Sequence, residues 1–410
     1  MQTSFTDKQL ENKDNKSSES ILRKCVHCGM CNATCPTYGI NGDELEGPRG
    51  RIYLIKDMLE NNKPANKKIA QHIDSCLSCY SCMTTCPSGV NYMHLIDHGR
   101  NYVEETYKRP FLDRVFRNIL SFVLPKPKVF LLMALSSKLI KPFSFLFPKF
   151  IRNALNLMPD KIPGKKLKDQ KVYEVNKGKK VSRVALLTGC VQRVISPEIN
   201  EATIRLLNRH NVEVVVMPDI NCCGSLNHHL GKQKLAHESF KNNIESWHEE
   251  YLKNGLDAII SNTSGCGTTL KDYGHIFKND KDLKKKAKKI SELTKDITEY
   301  LDENLKLNIN LNSEKKYRIA YHSACSMQHG QKVHNQPKDL ISKTFTCSNI
   351  FPVPIPGRVT AISPILLPEE IPINSDIINN NDNLITSYSG GESLVPLAQE
   401  LVCRVSSVLH

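Results

Sequence analysis

Apolar positions in the first third of the chain recur at helical spacing. Ile52, Leu54, Ile55, Met58 and Leu59 form one stripe within residues 42–74, which predicts a helix with basic residues around it. Residues 92–107 predict another helix that closes this region. Residues 1–20 are polar and lack an apolar h-region, so a short disordered lead-in is expected. Residues 109–160 are apolar and basic, interrupted by Pro125-Lys126-Pro127-Lys128. A membrane span needs about 20 mainly apolar residues without charge. The interrupted run therefore predicts two amphipathic helices. They would pack on a protein partner or lie peripherally on a membrane, with a true span as the third alternative.

The pattern then changes. Residues 161–181 are polar and rich in Gly and Lys, and read as a linker. From Arg183 onward, short apolar runs alternate with helical segments: strands at 184–187, 212–217 and 256–261, helices at 197–210 and 237–252. Cys190, Cys222-Cys223-Gly224 and Cys266 each follow one of these strands. Open α/β sheets bind ligands at the C-terminal ends of their strands, so these cysteines are expected to converge. The segment Arg318-Ile319-Ala320-Tyr321-His322-Ser323-Ala324-Cys325 repeats the arginine-to-cysteine offset of Arg183 to Cys190 and marks the start of a second copy.

Superimposed on this pattern is a cysteine run that occurs twice. Cys25, Cys28, Cys31 and Cys35-Pro36 share their spacing with Cys76, Cys79, Cys82 and Cys86-Pro87. This is the bacterial ligand run for [4Fe–4S] clusters, in which the fourth cysteine ligates the other cluster. The assignment is Cys25, Cys28, Cys31 and Cys86 for cluster one, and Cys76, Cys79, Cys82 and Cys35 for cluster two. Zinc favours two spaced pairs or mixed Cys/His sets, and disulfides need an oxidising compartment that nothing here marks. Two clusters laid out in this way would exchange single electrons.

Eight of the chain's 15 cysteines belong to this octet. Cys190, Cys222, Cys223 and Cys266 could supply four thiolates to an additional iron–sulfur or zinc site; reduced structural or redox thiols are the alternative. Cys325 would be a remnant of a second such site. So many thiols in 410 residues suit metal ligation in a reducing cytoplasm. The net charge of +14 comes from scattered lysines, without an aromatic-interleaved basic patch, which argues against nucleic acid. His27, inside the first cluster loop, could tune a cluster by hydrogen bonding to sulfur. His94, His98, His228 and His229 read as solvated or packed side chains rather than ligands. Tyr80 and Met83 would shield the second cluster from water. No nucleotide loop, flavin fingerprint or nucleophile triad is present in the sequence.

The organisation resembles the iron–sulfur subunits of bacterial glycolate oxidase (glycolate dehydrogenase). The resemblance covers residues 20–343 and rests on ordered motifs. These are Cys25-Val26-His27-Cys28-Gly29, the stretch Gly42-Asp43-Glu44-Leu45-Glu46-Gly47-Pro48-Arg49-Gly50-Arg51, Thr188-Gly189-Cys190-Val191-Gln192, Cys222-Cys223-Gly224, Ser264-Gly265-Cys266-Gly267, and Tyr321-His322-Ser323-Ala324-Cys325. It implies an α+β protein: a helical two-cluster ferredoxin-like domain (21–108), a first α/β cysteine-rich domain (182–305) and the start of a second, incomplete one (315–343). It also implies FAD-containing glycolate oxidase subunits as partners, a quinone-type acceptor, and a location in the cytoplasm, peripheral on the inner face of the membrane. Related architectures serve anaerobic glycerol-3-phosphate dehydrogenase, lactate utilisation and heterodisulfide reductase. A non-catalytic redox assembly protein is the alternative of a different class.

Family members should carry a second Cys-Cys-Gly and a closing glycine–cysteine loop after Cys325. This chain has neither. Residues 1–343 contain 41 lysines and residues 344–410 none. We expect 344–410 to be an aberrant, poorly specified tail of the kind a reading-frame shift near Lys343 would produce. A diverged C-terminus is the alternative, and resequencing the locus separates the two.

Overall fold

The computed structural model describes residues 1–147, 149–156, 158, 162, 171–175, 179–305, 317–344, 347–352 and 365–367. Its N-terminal unit is helical. Helices Lys13–Lys24, Pro48–Glu60, Lys67–Asp74 and Tyr92–Thr106 enclose Leu22, Ile55, Met58, Leu59, Ile73, Leu95, Ile96 and Val103. Proline at the first helical position suits the start of Pro48–Glu60, where its missing N–H has no intrahelical acceptor to lose. Gly50 lets this helix approach the preceding turn: a Cβ there would stand 2.2 Å from the Glu44 carbonyl oxygen.

The disordered lead-in expected at 1–20 is instead helical. Asp7–Glu11 starts from a capping box on Thr6 and Gln9, and Lys13–Lys24 starts from Asn12, whose side chain accepts from Asp14 and Asn15. Two apolar residues, Ile21 and Leu22, pin the second helix to the core. Most of its surface stays polar, which hides it from a hydropathy reading.

Helices Phe111–Val123 and Pro127–Ile140, followed by a 3-10 turn over Lys141–Leu146, form the apolar segment. Leu124, Phe130 and Ala134 pack against Val191, Val194 and Ile195 of the next domain. Pro127–Leu146 is long and apolar enough to cross a membrane by length and composition, and 17% of it is buried.

The cysteine-rich domain is built on a five-stranded sheet of β1 (Val172–Tyr173), β2 (Ser182–Leu187), β3 (Val212–Val215), β4 (Ala258–Ser261) and β5 (Thr294–Asp296). The order is β1-β3-β2-β4-β5, parallel except for the β1 edge. Successive residues alternate between its two faces, as a strand requires. Val184, Leu186, Val212, Val214, Ala258 and Ile260 meet Ile204, Leu207 and Tyr300 on one side. Ala185, Leu187, Val215 and Ile259 meet Phe240, Trp247, Leu270, Tyr273 and Ile290 on the other. Both faces are thus covered by helices, including Pro197–Arg209 and Gln233–Asn254. β1 falls inside the expected linker: Val172 and Tyr173 pair with Val215 and Val214 and extend the sheet by one edge strand. Of that linker, only 162, 171–175 and 179–181 are described.

β6 (Tyr317–Tyr321) lies at the centre of a second sheet, parallel to β7 (Cys347–Pro352) and antiparallel to β8 (Ile365–Leu367). Two pieces of the expected aberrant tail therefore pair with the repeat strand. The rest of that tail, with Cys403, lies outside the described residues.

Candidate metal centres

The octet cysteines sit where helical turns expose thiols from short irregular loops. Gly29 (φ +80°) supplies the left-handed turn between Cys28 and Cys31. Tyr80 adopts the same region (φ +59°) between Cys79 and Cys82. Two neighbouring cavities result. The first is lined by Cys25, Cys28, Cys31 and Cys86, with Pro48, Ile52 and Val90. The second is lined by Cys35, Cys76, Cys79 and Cys82, with Arg51, Tyr80 and Tyr92. Cys82 and Tyr92 border both. Each cavity takes its fourth cysteine from the other run, so the thiols are grouped in the crossed arrangement.

Electrostatics couples thiols within each quartet and also across them, since Cys31 of the first adds to the shift of Cys82 in the second. Burial, with Cys25, Cys86 and Cys28 adding repulsion between thiolates, pushes the Cys31 thiol up to about 11. Cys82 is pushed further up, by burial first and then by Cys76, Cys79 and Cys35. Thiols crowded in this way release their protons readily only to a cation, which is the chemistry of a metal-ligand set. Among the described residues, no three Cys, His, Asp or Glu side chains stand in preformed coordinating geometry, in the octet or elsewhere. The fit to a cluster rests on the donor set and its crossed grouping.

Side chains around the second cavity hold it in a dense polar frame. Arg51 is 1% exposed and donates to Glu46 Oε2 at 2.8 Å, Thr37 at 3.0 Å, Ser75 at 2.9 Å and the His72 carbonyl at 2.6 Å. Its Nη1 is 3.9 Å from Cys35 Sγ. Tyr92 points its hydroxyl at Cys76 Sγ, 3.7 Å away, and Arg100 donates to the Cys76 carbonyl at 2.5 Å. Thr37 and Ser81 hydroxyls lie 3.3 and 3.4 Å from Cys35 and Cys79. The first cavity has fewer such partners. His27 lines it with a buried Nε2 that has no hydrogen-bond partner, and burial and Arg49 hold that imidazole below its usual pKa. Tyr80 is buried on the wall of the second cavity, and Met83 packs on the adjoining core.

A third thiol group forms at the sheet edge. Cys222 and Cys223 leave β3 on a loop held by Gly224 (φ +82°), where a Cβ would strike Phe240 at 2.5 Å. Cys223 Sγ is 3.1 Å from Cys266 Sγ. Cys190 and Cys222 are hydrogen-bonded; Cys222 is held well below its ordinary pKa by Cys190 and Cys223, while Cys190 is pushed up by Cys222 and by burial. Four thiols thus meet, one from each of two strand ends and the vicinal pair from the third. Cys266 lies in the first turn of helix Ser264–Ile276 rather than on a loop.

Cys325 stands apart from this group. It opens a π-helical turn, Ser326–Gln331, that packs on helix Ser264–Ile276 through Gln331 to the Ser264 carbonyl (2.8 Å) and Ser326 to Ser264 (2.7 Å). It lies near enough to the second quartet to oppose the charge of Cys79. Burial first, with Cys76 and Cys325 adding, pushes Cys79 up to about 12.

The histidines pack between the two domains, and this network was not visible in the sequence. His94 Nε2 donates to Asp272 Oδ1 at 2.7 Å, and its ring stacks on His275 with centroids 3.4 Å apart. Asp97 receives His228 at 3.3 Å and His229 at 3.2 Å, with Arg100 beside it. His98 meets Ser18 at 2.7 Å. Its partners are 80 (Ser18 to His98), 131 (Asp97 to His228) and 178 (His94 to Asp272) residues apart, so no local spacing could reveal them.

Comparison with known proteins supplies the family. Residues 21–90 match the 4Fe-4S dicluster domain and residues 184–271 the cysteine-rich domain. The chain is 39% identical over 351 residues to the glycolate oxidase iron-sulfur subunit of Escherichia coli (strain K12), covering 85% of this chain and 82% of that protein. It is 28% identical to a probable glycolate oxidase iron-sulfur subunit of Bacillus subtilis (strain 168), over 82% of this chain and 78% of the relative. Lactate utilization protein A of Anoxybacillus flavithermus (strain DSM 21510 / WK1) is 26% identical over 38% of this chain and 63% of its own length. No solved structure matches. With a relative this similar over most of both lengths, and with both domains present in order, the chain belongs to the family of glycolate oxidase iron-sulfur subunits.

Proposed function

We propose that this iron–sulfur electron-transfer subunit carries electrons from an FAD-containing partner, which oxidises glycolate to glyoxylate, to a quinone at the inner face of the cytoplasmic membrane. Cys25, Cys28, Cys31 and Cys86 would hold one [4Fe–4S] cluster, and Cys76, Cys79, Cys82 and Cys35 the other. When bound, the clusters supply reversible one-electron transfer. The protein's own part is to keep the two sites adjacent across Cys82 and Tyr92, to exclude water with Tyr80 and Val90, and to direct Arg51 and Tyr92 at the second quartet. Cys190, Cys222, Cys223 and Cys266 are suited to a further iron–sulfur or zinc site, with Cys325 as the remnant of a second one. The grouping of thiols from opposite runs in each cavity is the observation that carries the reading.

The test is anaerobic purification with whatever copurifies, followed by iron and sulfide quantitation and EPR after dithionite reduction. About eight irons with coupled [4Fe–4S] signals, reduced by glycolate through a flavoprotein partner, support the reading. Four irons or fewer in intact protein sink it. The missing second Cys-Cys-Gly favours one other reading, a redox assembly protein without turnover. Copurification with a flavoprotein but no electron flow to a quinone would select it.

A further inference from the structure

Helices in water turn polar side chains outward and apolar ones inward. The segment 111–146 buries Leu124, Phe130 and Ala134 but also turns a broad apolar face outward. In helix Phe111–Val123 the buried residues are Arg117 and Ser121; Arg117 donates to the Leu230 carbonyl at 2.9 Å and Ser121 to Asn227 at 2.6 Å. Phe111, Leu112, Ile119 and Phe122 face solvent. In the partner helix Ser137 is buried while Leu132, Leu135, Leu139 and Ile140 are exposed, and the 3-10 turn adds Phe143, Phe145 and Leu146. Eleven of the eighteen exposed large apolar side chains among the described residues lie in this stretch.

The charges around that face carry one sign. Lys108, Arg114, Lys126, Lys128 and Lys138 are exposed; the only acid from 108 to 147 is Asp113, held by Arg109 at 3.4 Å. Lys126 lies over the Phe122 ring at 3.6 Å, so its cationic head projects from the edge of the apolar face. An acid-free basic rim around a wide apolar plate is complementary to anionic headgroups above acyl chains. A protein partner would have to bury this plate with no carboxylate on this chain to answer its own cations. Spanning is disfavoured because Lys128, Lys138 and Lys141 fall inside the apolar stretch and Pro142 breaks it.

We propose that the exposed face of the helix pair 111–146 is a monotopic docking plate for an anionic lipid surface. The opposite side of the plate carries Leu120, Val123 and Leu131, which pack into the same cluster as Cys190. The plate therefore sets the cysteine-rich thiol group directly behind the lipid surface. This deepens the electron-carrier reading by naming the surface at which the acceptor is met, but its test needs no electron flow.

The full chain, purified anaerobically, is floated with vesicles of phosphatidylglycerol and phosphatidylethanolamine, and with vesicles of phosphatidylcholine alone. Flotation with the anionic vesicles, weakened by salt and lower with phosphatidylcholine, is expected. The triple variant Leu132→Glu, Leu135→Glu, Leu139→Glu should lose binding by roughly tenfold or more, and Lys126→Glu with Lys128→Glu by less. All five side chains are exposed, and unchanged iron content and circular dichroism verify folding. The proposal is overturned if wild type does not float, or if the triple variant floats equally. It is also overturned if the substitutions break a complex with a flavoprotein without affecting flotation. Retention through alkaline carbonate extraction would overturn it in favour of a span. A failure to float leaves iron content and glycolate-driven reduction unaffected, so it is distinguishable from failure of the redox role.

Discussion

The two octet cavities arise from the same ligand spacing, yet their surroundings differ in kind. The first opens to the surface: Cys28 is exposed, and Val26 and Met30 beside it are more than half exposed. Its nearest ion pair, Arg49 with Glu44, is itself about one-third solvated. The second is roofed by Tyr80, floored by Tyr92 and framed by the buried Arg51 and Arg100. Spacing decides which thiols meet. The neighbours decide the potential and the access. One cavity is open to solvent at Cys28, and the other is enclosed by the chain's own side chains.

Substituting single ligands breaks the comparison most severely. Cys86→Ser should erase the EPR signal of the first cluster although it belongs to the second run, and Cys35→Ser that of the second; each should lose about four irons. Loss of the opposite signal in either case would refute the crossed assignment.

Arginine replacement comes next. Arg51→Met leaves the buried Glu46 without its guanidinium partner and held only by His72 and Ser75, and breaking such a buried pair costs roughly 3–5 kcal/mol. Arg49→Met, at the solvated pair beside the first cavity, should cost about 0–1 kcal/mol. Denaturant titration of the loaded protein checks both, and equal losses would mean that the frames are equivalent.

Tyr92→Phe removes a hydroxyl aimed at Cys76 and should lower the potential of the second cluster relative to the first. Redox titration followed by EPR reads this directly; a shift confined to the first cluster contradicts it.

The smallest effect is on pH. Burial opposes the charge on His228, but Asp97 prevails and holds the imidazole above its usual value. Asp97 is buried as well, and His228 and His229 hold it well below the usual carboxylate range. The His228 contribution is therefore complete below its unfolded pKa and is lost as pH rises through the folded one; that of Asp97 is lost only as acid approaches its depressed pKa. An NMR titration should place the His228 imidazole above the usual histidine pKa. Asp97→Asn should abolish that elevation, and an ordinary or lowered value in the unaltered protein would count against the account.

Much of this was legible because it is written in short spacings. The octet, the vicinal pair Cys222-Cys223 and the strand ends that carry Cys190 and Cys266 all lie within local patterns. Helix Lys284–Leu293, with Ala287 and Ile290 inward and its lysines outward, is another. The helical N-terminus was not, because two buried residues, Ile21 and Leu22, anchor an otherwise polar stretch. Neither was the Arg51 frame, which draws on Thr37, Glu46, His72 and Ser75 from separate elements. Long-range polar pairing leaves no periodic trace. The seat of the turn after Cys325 on helix Ser264–Ile276 likewise depends on tertiary packing, not on the repeat that contains it.

That docking has a consequence for how the protein is made. The turn Ser326–Gln331 packs beside the second run, with His329 bonded to Thr84 at 2.9 Å and Gly330 set against Thr268 and Tyr80, where a Cβ would stand 2.8 and 3.3 Å from them. On the proposed cluster assignment, iron and sulfide would reach the inner quartet more readily before this turn folds down, whereas the outer quartet, with Cys28 exposed, would stay accessible afterwards. Maturation then has a direction: when folded, empty protein is reconstituted, the outer cluster should fill first and the inner one only as fast as the domains part.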